Sequence, residues 1–149
     1  MALIDDVNQA ITSAMKSQDQ ARLGTLRMLK AALVNRQIEK GKDLDAAESI
    51  QVVMALVKQR HDSIDQFKKG GRTDLADKEA AEIRVLEGYL PPALDPAELD
   101  AIIAAAIFEA GATSARDLGK VMKAAMSRLA GSGVDGKVVN EAVRKKLGG

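Results

Sequence analysis

Apolar residues recur every three or four positions through almost the whole chain, and glycine or proline interrupts this pattern between one stretch and the next. Such spacing places apolar side chains on one face of an α-helix. The sequence has few residues that could stabilise strands through aromatic pairs, because its aromatic residues are Phe67, Tyr89 and Phe108 alone. The pattern therefore predicts an all-α fold.

Residues that start and stop helices divide the chain into seven predicted helices. An aspartate that can cap a helix precedes four of them, at Asp19, Asp45, Asp95 and Asp135. Gly41 and Gly111 predict helix ends, because glycine readily adopts the left-handed conformation found there. For two further helix starts we expect Thr73 or Asp74, and Thr113 or Ser114, as the capping residues.

The third predicted helix carries the chain's only histidine. It is long, and its apolar stripe has the 4-3-4-3 spacing of a helix that packs lengthwise; the stripe is Ile50, Met54, Val57, His61 and Ile64. We interpret His61 as a residue at the edge of a helix interface rather than a general base, since acid–base catalysis needs a positioned partner in a cleft.

Pro91-Pro92 follows the fourth predicted helix and is expected to end it, because proline lacks the amide donor and disfavours helix at the preceding residue. We place a domain boundary here. The prediction is two small helical domains joined by a partly helical linker. Residues 1–92 form three to four helices, including a linker helix, and residues 93–149 form three.

Charge is distributed unevenly, although the net charge is only +1. Residues 1–94 hold 14 basic and 14 acidic side chains, and residues 95–115 hold four acidic and no basic ones. Residues 116–149 hold eight basic side chains against three acidic ones. Converging cations can neutralise several phosphates, and without stacking aromatics they would contact backbone more than bases. Helix C-termini also collect cations for dipole reasons alone, so both interpretations stay open.

The predicted nucleic-acid-binding residues come from the last two helices. They are Lys120, Lys123, Arg128, Lys137, Arg144 and Lys145. Lys120 and Lys123 share a helix face at this spacing. Gly131-Ser132-Gly133 could present amides to a phosphate, but we interpret it as a plain turn.

Other classes of site find little support. The chain has no cysteine and no glycine-rich phosphate loop. Capping and solvation explain the acidic residues Asp74, Asp77, Glu79 and Glu82 without a metal. We therefore expect no catalytic residue, no metal and no cofactor. The N-terminal residues are acidic where a signal peptide would be basic, and no segment is apolar enough to span a bilayer. The expected location is cytoplasmic, without a membrane partner.

The segment Leu118–Leu147 reads LGKVMKAAMSRLAGSGVDGKVVNEAVRKKL and resembles the tail domain of GatB, one subunit of the bacterial glutamine-dependent tRNA amidotransferase. Nearly the whole chain, including the block from Arg60 to Pro91, is similar to the stand-alone YqeY proteins that share this tail. The resemblance implies two helical units and contact with tRNA through the tail. Ser132-Gly133-Val134 departs from relatives that often carry Gly-Arg or Gly-Lys there, so one phosphate contact is expected to be missing.

The resemblance supports a non-catalytic tRNA- or RNA-binding accessory protein, with no DNA partner expected. A second hypothesis is a helical interaction module that docks on a tRNA synthetase or an amidotransferase subunit. A third is carbon–nitrogen ligase activity with glutamine as amido-N-donor, as the family name implies. That reaction has no visible nucleophile pair or nucleotide site in this chain, because the resemblance does not extend to the catalytic parts of the amidotransferase.

Overall fold

The computed structural model describes residues 2–148, so Met1 and Gly149, the ends of the two predicted domains, lie outside the described residues. Over the described part, the chain forms seven α-helices, one turn of 3₁₀-helix at Ala115–Asp117 and no strand. The helices are α1 (Leu3–Lys16), α2 (Gln20–Lys40), α3 (Ala46–Lys69), α4 (Thr73–Glu87), α5 (Pro96–Ala110), α6 (Leu118–Arg128) and α7 (Gly136–Lys146). The predicted all-α class is confirmed. Contacts divide the chain into two compact units, Met1–Leu90 and Pro91–Gly149.

Aspartate side chains cap four helices where the sequence predicts them. Asp19, Asp45, Asp95 and Asp135 each accept a backbone N–H, at 3.1, 2.8, 2.9 and 3.0 Å respectively. Gly41 and Gly111 end α2 and α5 with φ of 78° and 63°. These left-handed conformations strain any other residue, so local chemistry fixes the ends of both helices.

Unit 1 consists of α1 to α4. α3 packs along α4, α1 packs along α2, and α2 also contacts α3 and α4. Its buried apolar residues are Val7, Ala14, Leu23, Leu26, Leu29, Leu33, Val53, Ala76, Ile83 and Leu86. Ile11 and Tyr89 are half-buried and pack against both apolar clusters of this unit, so the two clusters join into one core.

The buried face of α3 differs from the predicted stripe. Its buried residues are Ser49, Val53 and Arg60, whereas His61 is exposed. The other members of the predicted stripe are half-buried. The prediction placed the buried face about one position too late, because it assigned His61 rather than Arg60 to the helix interface.

Arg60 is buried because three other residues accept its hydrogen bonds or oppose its charge. Its Nε donates to Glu82 Oε2 at 3.0 Å and lies 4.0 Å from Glu79 Oε2, and its Nη1 donates to the Leu56 carbonyl at 3.1 Å. Its Nη2 also contacts Met28 Sδ. Arg60 of α3 thus joins α4 through two carboxylates and α2 through a thioether.

The predicted cap and end of α4 are both wrong. Arg72 occupies the capping position, but its side chain forms no capping hydrogen bond with the helix backbone. Its Nε and Nη2 instead each donate at 3.2 Å to the Asp74 carboxylate. The carboxylate expected to cap the helix is therefore engaged by arginine. The helix ends at Glu87, before Pro91-Pro92, and residues 88–95 are not helical. The prolines follow the end of the helix but do not cause it.

Unit 2 consists of α5, α6 and α7, each of which contacts the other two. Its buried core is Ile103, Ala106, Val121, Ala125, Leu129, Val139 and Val143. Ser114 Oγ accepts the Arg116 N–H at 3.3 Å and caps the 3₁₀ turn that leads into α6, so the helix start predicted at Thr113 or Ser114 lies at Ser114. Among the described residues, no helix has the length and apolarity needed to cross a membrane.

Candidate nucleic-acid interface

The cations of α6 lie on its solvent-facing side. Val121 and Ala125 are buried, and at about 100° per residue Lys120 and Lys123 lie on the other side of the helix. Both lysines are exposed. Within the described residues, neither forms an ion pair or a side-chain hydrogen bond. Their charges are therefore open to an incoming anion.

The cations of α7 follow the same logic. Val139 and Val143 face the core, so Lys137, Arg144 and Lys145 point outward and are exposed. No ion pair or side-chain hydrogen bond joins these three to any residue between 2 and 148. Glu141 shares this outward face and lowers its positive potential.

Arg128 differs from the other five predicted residues because a carboxylate of its own unit already holds it. Its Nε and Nη2 lie 3.0 and 2.9 Å from Glu109 Oε2 on α5. Lys146 is paired in the same way with Asp100, at 2.9 Å. Among residues 2–148, the structure thus separates the six predicted residues into five cations without an ion-pair partner and one whose charge is partly offset.

The last turn of α6 lies against the first turn of α7. A Cβ placed on Gly136 would lie 3.9 Å from Met126 Cε. Taking this contact as the reference, helical geometry places Lys123 about 60° around α6, and Arg144 and Lys137 about 80° and 100° around α7, from the line where the two helices meet. The other two cations lie on the far edges of these faces.

The turn before α7 contains Gly131-Ser132-Gly133, which we interpret from the sequence as a plain turn. Gly131 and Gly133 have φ of 79° and 76°, and Ser132 Oγ accepts the Val134 N–H at 3.3 Å. Asp135 already caps the first turn of α7. One amide in the turn and one at the helix start are therefore occupied by the chain's own oxygens.

The remaining residues considered for catalysis or metal binding do not gather in one site. His61 is exposed on α3, Glu79 and Glu82 face Arg60, and Asp74 faces Arg72. Across residues 2–148, no three histidine, cysteine or carboxylate residues converge in a group that could hold a metal ion.

Two features escaped the sequence reasoning. Phe108 is 89% exposed although it lies in the most apolar helix of the chain; its position opposite the buried stripe of α5 was the available signal. The second is a cavity of about 440 Å³ between α2 and α3. Its lining combines the apolar Ala32, Val52, Ala55 and Leu56, the amides of Asn35, Gln51 and Gln59, and the charged Arg36, Glu39 and Glu48.

The family model for YqeY-like proteins matches residues 4–147. The chain belongs to the YqeY-like family. Among related proteins is altered inheritance of mitochondria protein 41, mitochondrial. The Lachancea thermotolerans protein is 35% identical over 101 residues, which are 66% of this chain and 54% of that protein. The Kluyveromyces lactis protein is 40% identical over 84 residues, 56% of this chain and 45% of its own length.

The relative from Pyrenophora tritici-repentis aligns over 141 residues at 28% identity, which covers 93% of this YqeY-like chain and 77% of that protein. The chain thus spans about half the length of the first two relatives and more of the third. Their shared name states no reaction. It does state a mitochondrial location, and this finding contradicts the cytoplasmic location predicted from the sequence, which we correct.

Proposed function

We propose that this YqeY-like chain is a non-catalytic accessory protein that binds tRNA through the outward faces of α6 and α7. The observation that carries the proposal is a set of five exposed cations, with no carboxylate partner among residues 2–148, on two helices packed side by side. These are Lys120, Lys123, Lys137, Arg144 and Lys145. The likeness of the tail to that of GatB supports tRNA as the partner.

Contacts of this kind release counterions, so affinity depends steeply on salt. With up to five phosphates neutralised, the slope of log affinity against log salt should be about −4. No aromatic side chain lies on the described faces of α6 or α7, so recognition would depend on backbone shape and 2′-hydroxyls. We therefore expect tRNA to bind more tightly than duplex DNA of equal length.

The test measures tRNA binding by fluorescence anisotropy between roughly 25 and 200 mM salt, in the range where counterion release dominates. The double variant Lys123→Glu/Lys137→Glu should weaken binding at least about tenfold. The matched control is Arg27→Glu/Lys30→Glu, which makes the same change in net charge on exposed positions of α2. Equal losses in both variants, or no binding by the unaltered chain at low salt, would refute the proposal.

A second candidate function is supported by the cavity between α2 and α3. An open groove between two helices that is lined by both apolar and polar residues suits an amphipathic partner helix. As an interaction module for the aminoacylation or amidotransferase machinery, the chain should lose its partner on Ala55→Arg and keep it on Lys123→Glu/Lys137→Glu. The opposite pattern would favour the RNA interface.

Catalysis is tested separately. Purified protein supplied with mischarged tRNA, glutamine and ATP should form no amide on the aminoacyl group. Amide formation by the chain alone would overturn the non-catalytic part of the proposal.

A further inference from the structure

The outward face of α5 presents apolar side chains to solvent. Ile103 and Ala106 are buried on the inner face, whereas the opposite face carries four exposed residues. We call them the α5 seam: Ala97, Ala101, Ala104 and Phe108. Phe108 is 89% exposed, the highest value among the exposed large hydrophobic residues of the described part, 2–148. Such an anchor on the outward face of a mostly apolar helix indicates a contact surface.

The α5 seam has the spacing of a helix–helix contact. Its members follow one another by four, three and four residues, as in the apolar seam of a coiled coil. No charged residue occurs from Ala101 to Phe108. The acids that flank this stretch are both engaged within the unit, Asp100 by Lys146 and Glu109 by Arg128. The four seam residues are therefore apolar, and the exposed acid Glu98 lies between the first two of them.

The order of large and small residues makes the α5 seam complementary to itself. When two α5 helices run antiparallel about a two-fold axis between Ala101 and Ala104, residues at equal distances on either side of the axis face each other. Phe108 of each copy then faces Ala97 of the other, and Ala101 faces Ala104. The alanines allow close approach at the centre, and each phenylalanine fills the space above an alanine at the ends.

We propose that the α5 seam is a contact surface between two copies of this chain, paired antiparallel about that axis. The contact is small. A phenylalanine buries on the order of 150–250 Å², and a standard interface needs about 800 Å² per partner. The pair is therefore a weak, rapidly exchanging dimer, with a dissociation constant of roughly 10 μM to 1 mM. This dimer does not depend on the proposed binding of tRNA.

Sedimentation velocity of the full chain from micromolar to millimolar concentration measures the association. Phe108→Ala should weaken it at least about tenfold, because the two phenylalanines supply most of the apolar area that such a small interface buries. Val138→Ala is the matched control, since Val138 is an exposed apolar residue on α7. The acidic Glu98 flanks the seam in both copies, so added salt should strengthen dimerisation while it weakens tRNA binding. A chain that stays monomeric at millimolar concentration, or equal effects of the two variants, would overturn the proposal.

Cysteine variants test the register, because the natural sequence has no cysteine. Ala101→Cys/Ala104→Cys should form disulfide-linked dimers under mild oxidation, since these positions face each other across the axis. Ala97→Cys alone should not, because its two copies would lie roughly 16 Å apart along the helices. Helicity by circular dichroism shows whether each variant is folded. Efficient cross-linking through Ala97→Cys would indicate parallel pairing and refute the antiparallel contact.

Discussion

Replacing Arg60 by methionine should destabilise unit 1 more than removal of any solvent-facing cation. Arg60 is 9% exposed, donates to Glu82 at 3.0 Å and to the Leu56 carbonyl at 3.1 Å, and lies 4.0 Å from Glu79. Breaking a buried pair from one side costs about 3–5 kcal/mol, because the other charge stays behind. The two glutamate side chains are 23% and 24% exposed, so water partly solvates them. We expect a loss of about 2–3 kcal/mol, or about 10–20 °C in melting temperature.

Tyr89 makes this measurement specific to unit 1. The chain has one tyrosine and no tryptophan, and Tyr89 packs against both apolar clusters of that unit. Its near-ultraviolet signal during thermal or urea unfolding therefore reports on the core that contains Arg60. Arg27→Met, at an exposed position of α2, is the control and should change stability by less than about 0.5 kcal/mol.

A double variant separates charge pairing from packing. Arg60→Met/Glu82→Gln removes the carboxylate that the single variant leaves unpaired, so it should recover about 1 kcal/mol relative to Arg60→Met. An Arg60→Met protein as stable as the original chain would refute the reasoning. A double variant no more stable than the single one would also refute the reasoning. The ion pair would then contribute nothing to stability beyond the volume that its side chains fill.

Three further predictions concern a cap, a turn and the interface. The backbone N–H of Glu48 lowers the pKa of Asp45 below 3.8, so its ionised form stabilises the fold above that pH. The stabilisation should disappear as pH falls through the lowered value, and Asp45→Asn should flatten this acid dependence of the Tyr89 transition. Gly111→Ala forces a side chain to φ of 63° and should cost about 1–2 kcal/mol by chemical denaturation, while helical Gly119→Ala should cost nothing. Glu141→Gln should tighten tRNA binding about two- to fivefold by anisotropy, because it removes a negative charge from the outward face of α7.

The parts of the fold that follow from the sequence are those set by neighbouring residues. Asp95-Pro96 starts α5 and Gly111 ends it through groups only a few bonds apart, so the residue types suffice. The same holds for Asp19 and Asp135. The outward direction of the tail cations also follows from helical spacing alone.

The parts that could not be predicted depend on residues distant in the sequence. Arg60 is buried because Glu79 and Glu82 of another helix approach it, and the apolar pattern of α3 contains no trace of them. Arg72 is an exception, because it lies only two residues before Asp74, whose carboxylate it takes up. In the tail, nothing in the sequence distinguishes Arg128 from the neighbouring cations. Only the structure shows that Glu109 lies beside it. Opposite charges on separate helices decide most of these cases.

The seven buried residues of unit 2 all come from one continuous stretch of the chain, Ile103 to Val143. The ion pairs that fasten α5 to α6 and to α7 also begin and end within that unit. A single recombination event could therefore transfer the coding sequence of all three helices to another gene. The core and the exposed cations would move with it. Such a segment can spread among proteins as a self-contained helical unit.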